Sequence, residues 1–192
     1  MHSQLPANIC IEASPAIQNH AGLGRYTSSL IQSLISSDST YNYSISYNDS
    51  SKAIIPSELT TMKHFPSELS NKWWRLQNAW THLGNSPMDT HYPGVDIFHS
   101  TGHLLPKLDN ILTVFTLHDL IPLLYPNFHK PLNRIFLSVM MPIFLKSADA
   151  IISVSNNTRD DAVKHTQVDP SKFVVIPEAV SPSFQPISNQ QQ

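Results

Sequence analysis

Apolar strand patterns alternate with helical patterns along most of this 192-residue chain, and few folds accommodate that order. Strands joined by helices form parallel β-α-β units, and a parallel sheet is covered by helices on both faces. The sequence therefore predicts an α/β fold built on one parallel sheet. Strands are predicted at 8–13, 41–47, 95–99, 111–117, 150–154 and 172–176, and helices at 22–35, 71–83, 131–147 and from 155 or 157 to 165.

Two stretches are less regular. Residues 14–21 contain Pro15 and are predicted to form a loop. Residues 48–93 are rich in polar side chains, and the one helix expected there carries Trp73, Trp74 and Trp80. Tryptophans on a helix more often anchor packing than form a ligand platform, so we interpret these three as packing residues.

The strand at 111–117 runs directly into a His-Asp pair, His118 and Asp119. In an open parallel sheet, ligands bind in the crevice outside the carboxyl ends of the strands, so both side chains occupy positions where binding groups are expected. The alternative is structural: a histidine at a strand end can be a hydrogen-bonded core residue, and Asp119 can cap the following turn. The dipeptide alone leaves both interpretations open, although turn capping is favoured for Asp119.

Charge and cysteine content exclude several classes of protein. The chain has 12 Lys and Arg against 14 Asp and Glu, which gives no electrostatic basis for a nucleic-acid partner. Cys10 is the single cysteine, so an internal disulfide is impossible and a reducing compartment fits.

The first residues show no basic region followed by an apolar run, and the cytoplasm is therefore the expected location.

The most apolar segment, residues 135–145, is shorter than the roughly 20 residues that a membrane-spanning helix needs. A buried helix is the favoured interpretation. Peripheral contact with a membrane surface is the alternative, because Lys130, Arg134 and Lys146 flank the segment.

Ten histidines are spread along the chain, and most of them are far apart in the sequence. Because a metal site needs several ligands that converge in space, we predict no structural metal. Two of the histidines, His99 and His103, bracket the end of the strand at 95–99 and are candidate cleft residues.

Gly22 and Gly24 stand where the first long helix opens. Backbone N–H groups at a helix start attract anions, and glycine lets a phosphate approach the backbone closely. The structural alternative is that the glycines serve turn geometry. A dinucleotide site with Asp49 as the ribose acid is disfavoured, because the glycines follow the strand only after a long loop and Thr27 replaces the third glycine.

A second strand-to-helix junction lies at 153–161. Ser155 or Asn157 can cap this helix, which is sufficient as a structural account. Arg159 is the sharper functional candidate, since a guanidinium can bind a phosphate or carboxylate through two hydrogen bonds.

Four of these segments together resemble, in the same order, the N-terminal half of GT-B glycosyltransferases of the family 4 type, a group that includes bacterial mannosyltransferases. The resemblance covers about residues 8–187. It implies a Rossmann-like domain that forms one half of a two-domain GT-B architecture. The segments that carry it are Gly22-Leu-Gly-Arg-Tyr-Thr27, Thr116-Leu-His-Asp-Leu-Ile-Pro-Leu-Leu-Tyr-Pro126, Ser147-Ala-Asp-Ala-Ile-Ile-Ser-Val-Ser155 and Lys172-Phe-Val-Val-Ile-Pro-Glu-Ala-Val180.

The resemblance implies a retaining hexosyl transfer from a nucleotide-sugar donor to the hydroxyl of a sugar, polysaccharide or lipid-linked acceptor, without a further cofactor. The N-terminal domain would hold the acceptor. Gly22 and Gly24 would reach the donor diphosphate, and His118 would contact the transferred sugar. Arg25 and Arg159 would be phosphate or acceptor contacts, and polysaccharide biosynthesis is the expected setting.

This chain departs from the pattern of the family at two points. Glu178-Ala179 stands where the family usually has Asn-Gly, and the nucleotide-binding second domain is not found in the sequence. We therefore expect one domain at 1–180, an interdomain linker or tail at 181–192, and a C-terminal domain supplied in cis or in trans. Alone, the chain is expected to be inactive. Two other functions stay open: a non-catalytic sugar- or protein-binding module of this fold, and an NAD-type domain.

Overall fold

In the computed structural model, which describes residues 6–18, 20–37, 40–128 and 131–180, seven parallel strands form one sheet in the order β3-β2-β1-β4-β5-β6-β7. The predicted linker at 181–192 and Lys130 lie outside the described residues. The strands are β1 (Asn8–Glu12), β2 (Asn42–Tyr47), β3 (Lys63–Pro66), β4 (Ile97–Ser100), β5 (Leu112–Leu117), β6 (Ala150–Ser153) and β7 (Phe173–Val175). The helices are α1 (Ser14–Ile17), α2 (Ala21–Ser37), α3 (Asn71–Leu83), α4 (Ile121–Leu124), α5 (Pro131–Ser147) and α6 (Asn156–Thr166).

Neighbouring residues of β1 show that helices cover both faces of the sheet. Cys10 is fully buried in a cluster that includes Trp74 of α3 and Met140 of α5. Ile11, which points to the opposite face, packs in a second cluster with Ile31 of α2. The predicted α/β, Rossmann-like fold class is confirmed.

The strand order places the crevice of the sheet between β1 and β4. β1 pairs with β2 on one side and with β4 on the other, so the chain reverses its direction of travel across the sheet at this point. Because all strands are parallel, their carboxyl ends share one edge, and a ligand crevice is expected where the order reverses.

The long helices were predictable, whereas three short elements, β3, α1 and α4, were not. α3 and α5 have the predicted bounds, and α6 begins one residue after its N-cap, Ser155. β3 escaped prediction because four half-buried or exposed residues ending in Pro66 carry no strand pattern, although β3 pairs with β2. The loop predicted at 14–21 is wrong where α1 forms, since proline is well tolerated in the first turn of a helix.

The interpretation of the three α3 tryptophans as packing anchors holds for one of them. Trp74 is 4 % exposed, whereas Trp73 and Trp80 are 58 % and 69 % exposed. Successive helical residues point about 100° apart, so Trp73 and Trp74 do not both face the sheet. None of the helices in the described ranges is long and apolar enough to cross a membrane.

Candidate functional site

His118 lies just beyond the end of β5 and is held on both ring nitrogens. Nε2 lies 3.0 Å from the carbonyl oxygen of Thr101, which follows β4. Nδ1 lies 2.8 Å from Oε1 of Glu178, which follows β7. The side chain of His118 is 11 % exposed and that of Glu178 is 49 % exposed, so the pair stands at the border between the sheet edge and solvent.

Both partners of the His118 ring are hydrogen-bond acceptors. A neutral imidazole has one N–H and can satisfy only one of them, whereas an imidazolium donates to both. In this conformation each ring nitrogen of His118 therefore has one fixed acceptor within hydrogen-bond distance.

The start of α2 is fixed against the same strand ends. The ring of Tyr26 meets the ring of His118 edge-on, with 4.7 Å between the centroids. One residue on, the hydroxyl of Thr27 donates to Oγ1 of Thr101 at 2.9 Å, and Thr101 donates to the carbonyl oxygen of Glu12 at 2.6 Å. These contacts orient His118, and neither Tyr26 nor Thr101 was identified from the sequence.

The glycines of the predicted anion site lie in the first turn of α2. The Gly24 amide donates to the carbonyl oxygen of His20, which leaves it unavailable to a ligand in this conformation. Gly22 stands earlier in the turn, where amides lack an intrahelical acceptor, and a Cβ built on it meets nothing within 4 Å. Arg25 is exposed beside them. An approaching phosphate would therefore meet Gly22 before Gly24.

The two histidines of the β4 end occupy different environments. His99 is 7 % exposed, its Nε2 lies 2.8 Å from Oγ1 of Thr116, and burial, together with His118, lowers its pKa to about 4. It is a neutral residue inside the fold. His103 is half-buried, and the centroid of its ring lies 6.5 Å from that of His118.

The remaining candidates have structural contacts. Oδ1 of Asp119 accepts the amide of Ile121 at 2.9 Å, which is the turn-capping role that the sequence favours. Ser155 caps α6 by accepting the Thr158 amide at 3.1 Å. Arg159 pairs with its neighbour Asp160 at 2.8 Å. The α6 start nevertheless adjoins the site, because the hydroxyl of Thr158 contacts the His118 carbonyl oxygen at 3.4 Å.

A cavity of about 250 Å³ opens beside this cluster, at the carboxyl end of β1. The most unusual residue in its wall is Glu12, the last residue of the apolar strand β1. Glu12 was not identified from the sequence, although its position at a strand end is similar to that of His118, which follows β5. Burial raises the pKa of the Glu12 carboxyl to about 7, against the lowering effect of hydrogen bonds from Ser14. The residues that line it include Glu12, Gln18, Asn48, Trp74, Gly102 and His103.

Within the described ranges, no three His, Cys, Asp or Glu side chains are grouped so that they could hold a metal ion. What the site offers is a histidine with a half-exposed carboxylate partner, helix-start amides and a cavity with a buried carboxyl group. These are groups that bind polar, hydroxyl-rich or anionic ligands.

Comparison with known proteins gives a family. No curated protein matches the chain. The model of Glycosyltransferase Family 4 matches residues 22–184, a range that begins at the glycine-containing start of α2 and contains β2 to β7. Because that match covers more than half of the 192 residues, the chain belongs to glycosyltransferase family 4.

Proposed function

We propose that this chain is the acceptor-binding half of a retaining glycosyltransferase, which transfers a hexosyl group from a nucleotide-sugar donor to an acceptor hydroxyl. The nucleotide would bind on a second GT-B domain, joined in cis or supplied in trans, and the chain by itself would be inactive. Cytoplasmic location and peripheral membrane contact belong to the same proposal.

The observation that carries the proposal is the His118 arrangement at the crevice of the sheet. Its ring is fixed by the Thr101 carbonyl oxygen and by Tyr26, while its other nitrogen meets a half-exposed, displaceable carboxylate. A donor N–H aimed into the crevice would orient the transferred sugar and stabilise charge as the glycosidic bond to the diphosphate breaks.

Two further groups fit the donor phosphates. Gly22 offers an unobstructed backbone at a helix start, where the N–H groups and the helix dipole favour anions. Arg25 is exposed in the same turn. Arg159 would have to leave Asp160 before it could serve, which makes it the weaker phosphate contact.

The test is a transfer assay on the enzyme that contains this chain together with its second domain. His118→Ala is expected to lower turnover about 100-fold or more, the usual cost of removing a donor that acts on transition-state charge. The circular dichroism spectrum should be unchanged. His165→Ala, an exposed histidine near the end of α6, is the matched control and should leave turnover unaffected.

The anomeric configuration of the product, read by proton NMR, tests the retaining mechanism in the same assay. The product should have the configuration of the donor. An inverted product would refute the retaining part of the proposal. Full turnover by the His118→Ala enzyme would remove His118 from the mechanism, whereas no transfer by the unsubstituted two-domain protein would favour a binding module of the same fold.

A further inference from the structure

Glu12 is a carboxyl group buried without a cationic partner. It is the last residue of β1 and is 5 % exposed, and its Oε1 accepts a hydrogen bond from the Ser14 amide at 3.0 Å. No Lys, Arg or His of the described ranges forms an ion pair with it. A buried carboxyl group costs stability, and such groups persist mainly where they serve a site.

The second carboxyl oxygen of Glu12 faces the gap over Gly102. A Cβ built on Gly102 would stand 3.6 Å from Oε2 and 3.5 Å from Cγ of Pro15. Both are ordinary van der Waals distances, so a methyl group fits there without strain. A methyl group at Gly102 would therefore take up the space next to Oε2 and contact that oxygen directly.

The rest of the cavity combines amides with apolar surface. Nε2 of Gln18 donates to Oδ1 of Asn48 at 2.9 Å, and Nδ2 of Asn48 donates to Oδ1 of Asn71 at 2.8 Å, which builds a rigid polar wall. Trp74 and Leu137 line the apolar part. A ring with hydroxyl groups on its rim and C–H groups on its faces matches both kinds of surface.

The size and position of the cavity fit one sugar ring beside the transfer centre. About 250 Å³ corresponds to roughly eight water molecules at ~30 Å³ each. His103 lines the cavity and its ring centroid lies 6.5 Å from that of His118. A ring seated in the cavity would thus have His103 between itself and His118.

We infer that this cavity binds one neutral sugar ring of the acceptor, with neighbouring hydroxyl groups held by the Glu12 carboxyl group over Gly102. A carboxyl group faces two adjacent hydroxyls with two oxygens, which makes a bidentate contact. It also disfavours an anionic ligand at the same point. The acceptor role rests on the proposed function, whereas the binding of a neutral ring does not.

The experiment is an amide-shift titration of the 192-residue chain by ¹H–¹⁵N NMR. The probes are methyl α-D-mannopyranoside, methyl α-D-glucopyranoside, methyl α-D-galactopyranoside and myo-inositol, with inorganic phosphate as the anionic comparison. At least one neutral ring should shift the amides of Ser14 and Gly102 and saturate in the millimolar range. Phosphate should not shift them.

Gly102→Ala fills the gap while keeping the carboxyl group, and it should weaken that binding about tenfold or more without changing the melting temperature. Glu12→Leu should weaken it as much, because both oxygens are lost. Glu58→Leu, the same exchange at an exposed carboxylate, is the matched control and should bind as the unsubstituted chain does.

Two results would overturn the inference: no shift at Ser14 and Gly102 with any neutral ring, or unchanged affinity in Gly102→Ala. The transfer assay separates this inference from the proposed function. Normal turnover and a normal KM for the acceptor in Gly102→Ala would refute the sugar site and leave the proposed transferase function intact. Binding of a sugar ring without any transfer by the two-domain enzyme would support the site and refute the proposed function.

Discussion

The ends of β4 and β5 each carry a histidine, and the two have opposite environments. His99 is buried, bonded to Thr116 and neutral, with its pKa lowered to about 4. His118 reaches the border with solvent and bonds the carboxylate of Glu178. Adjacent strand ends of one sheet thus hold the same residue type in a buried setting and in a setting that borders solvent. Burial and the chemistry of the partner distinguish them, and sequence position does not.

The contrast between His99 and His118 would be refuted if His99 proved dispensable for folding. His99→Ala removes a buried ring and leaves Oγ1 of Thr116 without this partner, which should lower the free energy of unfolding by about 3 to 4 kcal/mol. Urea denaturation measures the loss, and His165→Ala is again the exposed control. A loss below about 1 kcal/mol would contradict the structural role.

The end of β1 extends the comparison to a third titratable group, Glu12. Its pKa is raised from 4.5 to about 7, so the contribution that it makes to stability is complete below pH 4.5 and is lost as the pH rises through 7. His99 has the opposite sign: its contribution is complete above pH 6.5 and is lost as the pH falls toward 4.

Glu12→Gln removes the first of these dependences. As the pH is raised from acid to neutral, the unsubstituted chain loses the stability contributed by protonated Glu12, whereas Glu12→Gln does not. The free energy of unfolding of Glu12→Gln minus that of the unsubstituted chain should therefore increase by on the order of 2 to 3 kcal/mol. Urea denaturation at a series of pH values measures this difference, with Glu58→Gln expected to show none. A difference that does not change with pH would show that Glu12 is ionised normally.

The smallest effect is expected at the partner of His118. Glu178 is half-exposed, so its ion pair with His118 is worth less than about 1 kcal/mol. Glu178→Ala should therefore change turnover less than about fivefold, as measured in the two-domain enzyme. A loss as large as that expected for His118→Ala would make Glu178 a residue of the reaction and not a displaceable partner.

Local patterns in the sequence predict the fold well. The apolar run of β5 and the periodicities of α3 and α5 are decided by side chains within a few residues, so the strand and both helices were identified. β3 was missed because its place at the sheet edge depends on pairing with β2, which no local pattern records.

The candidate site was predictable in part: His118, Gly22 and His103 were identified from the sequence, whereas Tyr26, Thr101 and Glu12 were not. His118 follows a buried strand, and that rule locates it. Tyr26 reaches His118 across 92 positions of sequence, and Thr101 joins the helix to the strands through a tertiary hydrogen bond. Glu12 could have been found by the same rule as His118, whereas the exposure of Trp73 depends on which face of α3 meets the sheet.

The most direct measurement compares turnover of His118→Ala and His99→Ala in one assay of the two-domain enzyme, at a temperature where both variants stay folded. The account predicts a loss of about 100-fold or more for His118→Ala and less than about threefold for His99→Ala. Equal losses, or a larger loss for His99→Ala, would contradict the assignment of His118 to the reaction and of His99 to the fold.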